Sequence, residues 1–165
     1  MKRIKGRKYN FVFKTVRLPN GKTTSLEMVE HPGAVLVVPF YSQSKIILLK
    51  QYRPVFAEYI YELPAGTLEK GEPPAQCVRR ELMEETGFSA KKFRKLGKMY
   101  LVPGYSNEVI HIFEARELFA KSATPDADEI IELLILSRGQ VQSLFKARKI
   151  VDAKTIAALA FCGWL

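Results

Sequence analysis

The sequence predicts a mixed α/β fold in which a sheet lies between helices. Three observations predict it. Strand-like segments fill the first two thirds of the chain with one helical stretch among them, and two more helical stretches follow at the end. One strand, AVLVVPF at 34–40, is apolar throughout, as a strand covered on both faces must be. The helical stretches carry their own boundary residues, Gly87 after the first and Ser137 and Asp152 before the others.

In order, YNFVFKTVRL (9–18) and TTSLEMVEH (23–31) read as strands, and Asn20-Gly21 between them is a hairpin-turn signal. Tyr9, Phe11 and Phe13 alternate, which predicts core positions. After the buried strand 34–40, YSQS is a turn and KIILLKQYR (45–53) another strand. EYIYELPAG (58–66) is a strand that stops at Pro64 and Gly66, and LEKGEPP (68–74) is a loop. Residues 75–86 favour helix, with Pro74 suited to its first turn and Gly87 to its end. KFRKLGKMYLV (92–102) and EVIHIFEARE (108–117) read as strands around the loop PGYSN. The acidic loop SATPDADE (122–129) precedes the strand IIELLILS (130–137). Helices at 138–148 and 153–164, capped by Ser137 and Asp152, close the chain.

The 165 residues fit one domain, 1–165, and suffice for a substantial core. A hydrophobic content of 47% and a charged content of 26% are those of a soluble globular protein. No apolar run approaches the roughly 20 residues that span a bilayer. The basic start MKRIKGRKYNF has neither an apolar stretch nor a cleavage site, so a cytoplasmic location is expected and no membrane partner. Cys77 and Cys162 make no zinc pattern and are expected as buried or incidental thiols. The net charge of +9 attracts phosphates of any kind, on a nucleic acid or a small metabolite. His111 lies in a strand pattern and reads as a satisfied structural histidine, and His31 carries no role.

The stretch GTLEKGEPPAQCVRRELMEETGF holds the strongest chemical signal. With Glu81 at 0° on a helical wheel, Glu84 falls at about −60° and Glu85 at about +40°. Ala75, Val78 and Leu82 centre near about +90°, an apolar stripe beside three carboxylates. Like charges at i,i+3 and i,i+4 repel. Either the face is solvated or the carboxylates serve a hard divalent cation, which takes a few oxygen ligands together with substrate phosphates. Glu72 is a fourth candidate, and Arg80 could orient a carboxylate bidentately.

The spacing Gly66, five residues, Glu72, seven residues, Arg80-Glu81-Leu82, one residue, Glu84-Glu85, one residue, Gly87-Phe88 matches in full the signature of the Nudix hydrolases. It fixes nine positions over 23 residues. The resemblance implies a Nudix-type α/β/α sandwich with a mixed sheet and an N-terminal hairpin, cleaving a nucleoside diphosphate with two to three Mg²⁺ or Mn²⁺ ions. It further implies metal binding at Glu81, Glu84, Glu85 and the Ala65 carbonyl. Arg80 and Glu72 then support the helix and its loop, with Gly66 and Gly87 as structural glycines of the signature.

QYRP (51–54), ELPAG (62–66) and a proline sixteen residues beyond Gly87, Pro103, resemble the ADP-ribose pyrophosphatase branch. That likeness implies hydrolysis of ADP-ribose to AMP and ribose 5-phosphate, with Arg53, Tyr52, Glu62 and Pro103 at the substrate. An aromatic of the N-terminal arm stacking on adenine is the rival to its place in the core. The branch also implies a homodimer through the hairpin of residues 1–31 and a general base before the last strand. Glu129 is the only glutamate in that loop, with Asp128 as substitute, and a signature glutamate such as Glu85 is the other candidate. Alternatives are another nucleotide sugar such as GDP-mannose, an oxidised nucleoside triphosphate, or a silent nucleotide-binding sensor. An RNA partner is disfavoured by the ELPAG and Pro103 context.

Overall fold

A computed structural model describes residues 1–6, 9–121 and 130–165. The chain opens with three antiparallel strands that form their own sheet: β1 (Lys2–Lys5), β2 (Asn10–Arg17) and β3 (Thr23–Glu30). Between β2 and β3, the Asn20 side chain accepts from the Lys22 N–H at 3.1 Å, and Gly21 has φ 81°, the left-handed region the turn requires.

The body contains β4 (Ala34–Pro39), β5 (Lys45–Arg53), β6 (Glu58–Glu62) and β7 (Ala65–Thr67), then helix α1 (Pro74–Thr86). It continues with β8 (Phe88–Met99), β9 (Ile110–Ala120), β10 (Ile131–Ser137), α2 (Arg138–Lys146) and α3 (Ala153–Phe161). One sheet has the order β7-β4-β9-β8 and the other β10-β5-β6. β4 and β9 run parallel and the other pairs antiparallel, so the four-stranded sheet is mixed, as the sequence predicts. α2 begins in a capping box, in which Ser137 and Gln140 satisfy each other's backbone N–H groups. Asp152 caps α3 by accepting from the Thr155 N–H at 2.9 Å.

β4 is buried at every position because its two faces meet different layers. Leu36 and Val38 pack with Ile110, Ile112, Val141 and Leu159, on the side of α2 and α3. Val35 and Val37 pack with Cys77, Val78, Leu82 and Phe113, on the side of α1. The result is the expected α/β/α sandwich. Each such side chain stabilises the fold by roughly 1.5–3 kcal/mol relative to exposure, which makes β4 the strand least tolerant of polar substitution.

Several expectations need correction. Ala75 is exposed and Cys77 is buried instead. The buried arc of α1, Cys77, Val78, Leu82 and Thr86, therefore brackets Glu81 and Glu85 on the wheel. These two carboxylates face the sheet rather than solvent. Tyr9 and Phe11 are exposed and Phe13 half-buried, while Val12 is the buried residue of β2. The strand at 58–66 breaks into β6 and β7 around Leu63 and Pro64. β8 starts directly after Gly87, which closes α1 with φ 69°. β1 pairs with β2 where no strand was expected. Both cysteines are free thiols, Cys77 buried and Cys162 half-buried, as expected. Among the described residues no helix is long and apolar enough to cross a membrane.

Candidate active site

β7 and α1 touch at a point that only glycine permits. A Cβ on Gly66 would lie 1.8 Å from Glu81 Cδ, so the Glu81 carboxylate rests on the glycine backbone. One residue earlier, the Ala65 N–H donates to Glu85 Oε2 at 2.9 Å. The helix is thus fastened to the strand through two of its acidic residues.

Arg80 offsets part of the resulting charge. Its Nε and Nη2 donate to the two oxygens of Glu72, each at 3.0 Å, a bidentate pair that ties the loop to the helix. Its Nη1 lies 2.8 Å from Glu81 and 2.9 Å from Glu84. Glu72 Oε2 also accepts from the Glu69 N–H at 3.0 Å. The hydrogen bonds from Arg80 hold the Glu72 carboxyl down at about 2, and burial opposes this with less effect. Arg80 in turn is pushed up, first by its bond to Glu72. Cys77 beside them is pushed up by burial, so it is held as an inert thiol.

One guanidinium against Glu72, Glu81, Glu84 and Glu85 leaves this region strongly negative, and every side-chain donor is oxygen. That set fits a hard divalent cation in charge and chemistry. Among the described residues, no three His, Cys, Asp or Glu side chains converge as a preformed cage would, and Arg80 now holds Glu81 and Glu84.

A cleft of about 500 Å³ opens beside this cluster. Near the carboxylates it is lined by Ala65, Gly66, Arg80 and Glu81, joined by Glu69 from the loop. Two further cations reach it, Arg53 from β5 and Lys154 from α3. Behind them sits Glu62, 2% exposed, which accepts from Arg53 Nε at 2.6 Å and pairs with the Lys154 ammonium.

Tyr9, His31 and Glu108 also line the cleft. Tyr9 stacks on His31 with ring centroids 4.8 Å apart. His31 Nδ1 accepts from the Gly33 N–H at 2.9 Å, and its Nε2 lies 3.5 Å from Glu108. A neutral ring with its proton on Nε2 satisfies both contacts. Burial pushes the His31 pKa down, and Glu108 partly opposes the shift.

The structure brings most of the expected residues together. Ala65, Gly66, Arg80, Glu81 and Arg53 line the cleft, Glu85 touches Ala65, Glu62 backs Arg53, and Glu84 stands at the outer edge of the cluster. Tyr52 packs edge-to-face on Tyr59, and Pro103 starts an exposed turn; neither lines the cleft. Glu129, with Asp126 and Asp128, lies outside the described residues. His111 is not satisfied as expected: its buried Nδ1 has no hydrogen-bond partner among the described residues.

Glu69, His31, Glu108 and Lys154 are cleft residues that sequence reasoning missed. Lys154 alone left a signal. It follows the capping residue Asp152 by two positions, in the first turn of a helix, where the dipole disfavours a cation.

Known proteins agree with this architecture. The profile described as NUDIX domain matches residues 30–159. The chain is 40% identical over 158 residues to an ADP-ribose pyrophosphatase of Bacillus subtilis (strain 168), covering 94% of this chain and 85% of that protein. It is 39% identical over 148 residues to a methanol dehydrogenase activator of Bacillus methanolicus, covering 88% and 80%. A crystal structure of an ADP compounds hydrolase superposes with a TM-score of 0.82 at 23% identity, over 96% of this chain and 86% of the other.

Proposed function

Because the chain belongs to the NUDIX domain family, we propose that this hydrolase cleaves the diphosphate bond of ADP-ribose to give AMP and ribose 5-phosphate. The observation that carries the reading is one cleft bearing Glu81 and Arg80 together with Arg53, Lys154 and a stacked Tyr9–His31 pair. Arg53 suits a diphosphate and the aromatic pair suits a base. Tyr9 is thereby reassigned from the core to the substrate.

Glu81, Glu84, Glu85 and the Ala65 carbonyl are the proposed ligands of two to three Mg²⁺ or Mn²⁺ ions. When bound, such ions supply charge neutralisation at the diphosphate and acidify water. The residues of the chain do the rest. Arg53 binds a phosphate oxygen. Arg80 and Glu72 hold the loop and α1 in register, and Gly66 lets Glu81 approach β7. Water oxygen bonds to one phosphorus, the bond from that phosphorus to the bridging oxygen breaks, and the bridging oxygen leaves with the second phosphate. Glu129 accepts the proton of the attacking water in this proposal, with Asp128 as substitute. A positioned base contributes about 10²–10⁴-fold, so Glu129→Gln should lower kcat by at least about a hundredfold while ADP-ribose binding by calorimetry stays unchanged. Full turnover in this variant would assign the proton to a signature glutamate.

Homodimerisation through residues 1–31 and a cytoplasmic setting complete the proposal. Incubation with Mg²⁺ and a panel of ADP-ribose, GDP-mannose and oxidised nucleoside triphosphates tests it, with products identified by mass spectrometry. ADP-ribose should be consumed fastest, with AMP and ribose 5-phosphate in equal amounts. Faster loss of another compound would overturn the substrate and keep the hydrolase.

A further inference from the structure

Glu62 is a buried carboxylate shared by two cations from distant parts of the chain. Its Oε2 accepts from Arg53 Nε at 2.6 Å on the neighbouring strand β5. Its Oε1 pairs with the Lys154 ammonium, which also stands 3.0 Å from Asp152 Oδ1. Stability alone explains this arrangement poorly. A buried ion network is often no better than well-packed apolar side chains. A lysine in the first turn of a helix also works against the helix dipole. The docking of α3 does not need the lysine, since the Thr155 hydroxyl already accepts from the buried Leu63 N–H at 2.9 Å. Both cations line the same cleft as Glu81 and Arg80, whereas Glu62 lies behind them.

We propose that Lys154 is a positioning residue: by fixing the Glu62 carboxylate it sets the direction in which the Arg53 guanidinium meets the substrate diphosphate. The inference rests on the reading that this cleft takes a nucleoside diphosphate. A carboxylate held at one oxygen still turns about its terminal torsion. Held at both, by Lys154 and Arg53, it has one orientation. The guanidinium is planar, so a fixed bond at Nε fixes the rest of its fork. Without Lys154, Glu62 is held at one oxygen only and turns about its terminal torsion, carrying the Arg53 guanidinium bonded to it away from the phosphate. The loss falls on diphosphate binding and so on KM.

A double-mutant cycle on the full chain tests this, using Lys154→Met, Arg53→Met and the pair, with ADP-ribose and Mg²⁺. Lys154→Met should raise KM about tenfold with kcat within about threefold, the pattern of lost uniform binding. In the Arg53→Met background the same change should add less than about twofold, because Lys154 acts through Arg53. An unchanged KM, or equal factors in both backgrounds, overturns the proposal, since a merely structural role would be additive. Calorimetric titration with ADP gives the cycle for binding alone. A wild type that binds ADP but leaves ADP-ribose intact refutes the substrate reading, and the ADP cycle still decides the role of Lys154. If Lys154→Met does not fold, Lys154→Gln enters the same cycle with the same expected and overturning outcomes.

Discussion

Glu85 joins a structural bond to the chemical task proposed for it. Its Oε2 accepts from the Ala65 N–H, so Glu85→Gln keeps an acceptor oxygen for β7 and removes only the charge. The variant should fold, and its turnover at saturating Mg²⁺ should fall by at least about a hundredfold, because charge neutralisation by the cation is worth several kcal/mol. Near-normal kcat would remove Glu85 from the proposed metal ligands. The place of this residue beside Glu81 was legible because the signature lies on contiguous chain, where helical spacing relates side chains directly. Lys154 was not legible as a partner of Glu62, since 92 residues separate them and only the fold brings them together. Ala75 misled for a related reason: the wheel gives a direction but not what lies in that direction at each turn.

Between elements, the contact of β7 with α1 is set by the missing side chain of Gly66. In Gly66→Ala the new Cβ and the Glu81 carboxylate claim the same space, and the end of a flexible side chain gives way more easily than backbone. The expected result is a melting temperature within about 5 °C of wild type with activity reduced by about a hundredfold or more. A large loss of stability with specific activity retained would contradict it. The β8–β9 pair gives an acid dependence. Arg94, and after it Arg116, hold the buried Glu114 carboxyl below its usual 4.5. A depressed carboxylate contributes stability that is full above 4.5 and is lost as pH falls through the lower folded value. Glu114→Gln should therefore cost most near neutrality, and urea midpoints of the two proteins should converge as pH drops below 4.5; a gap that widens in acid would reverse the sign. The elements themselves were legible where caps and glycines punctuate them, as at Ser137, Asp152 and Gly87. β1 was not, since KRIK is exposed at every position and carries no apolar period.

Across the whole molecule, the α/β/α layering was legible from one strand, the apolar 34–40 run, because burial on both faces requires a layer on each side. The N-terminal sheet was misjudged because alternation tells which residues share a face but not what covers it. Ile4 and Phe11 stay exposed in a single chain, and Phe11 and Phe13 pack edge-to-face on the uncovered side of β2. A second copy seated there would bury them, so light scattering at micromolar concentration should give twice the mass of the chain, and a monomeric mass would rule the arm out as an interface. The parallel pairing of β4 with β9 also bears on how the molecule is made. Gly66 is held in the sheet through Val35 of β4, whose other neighbour is His111 of β9, and the whole signature segment lies between those two strands in sequence. Contacts that close so long a loop form late. On the ribosome the carboxylates of α1 emerge well before the strand that completes their support. The nascent chain thus carries the acidic residues of the signature for a time without the sheet against which they pack.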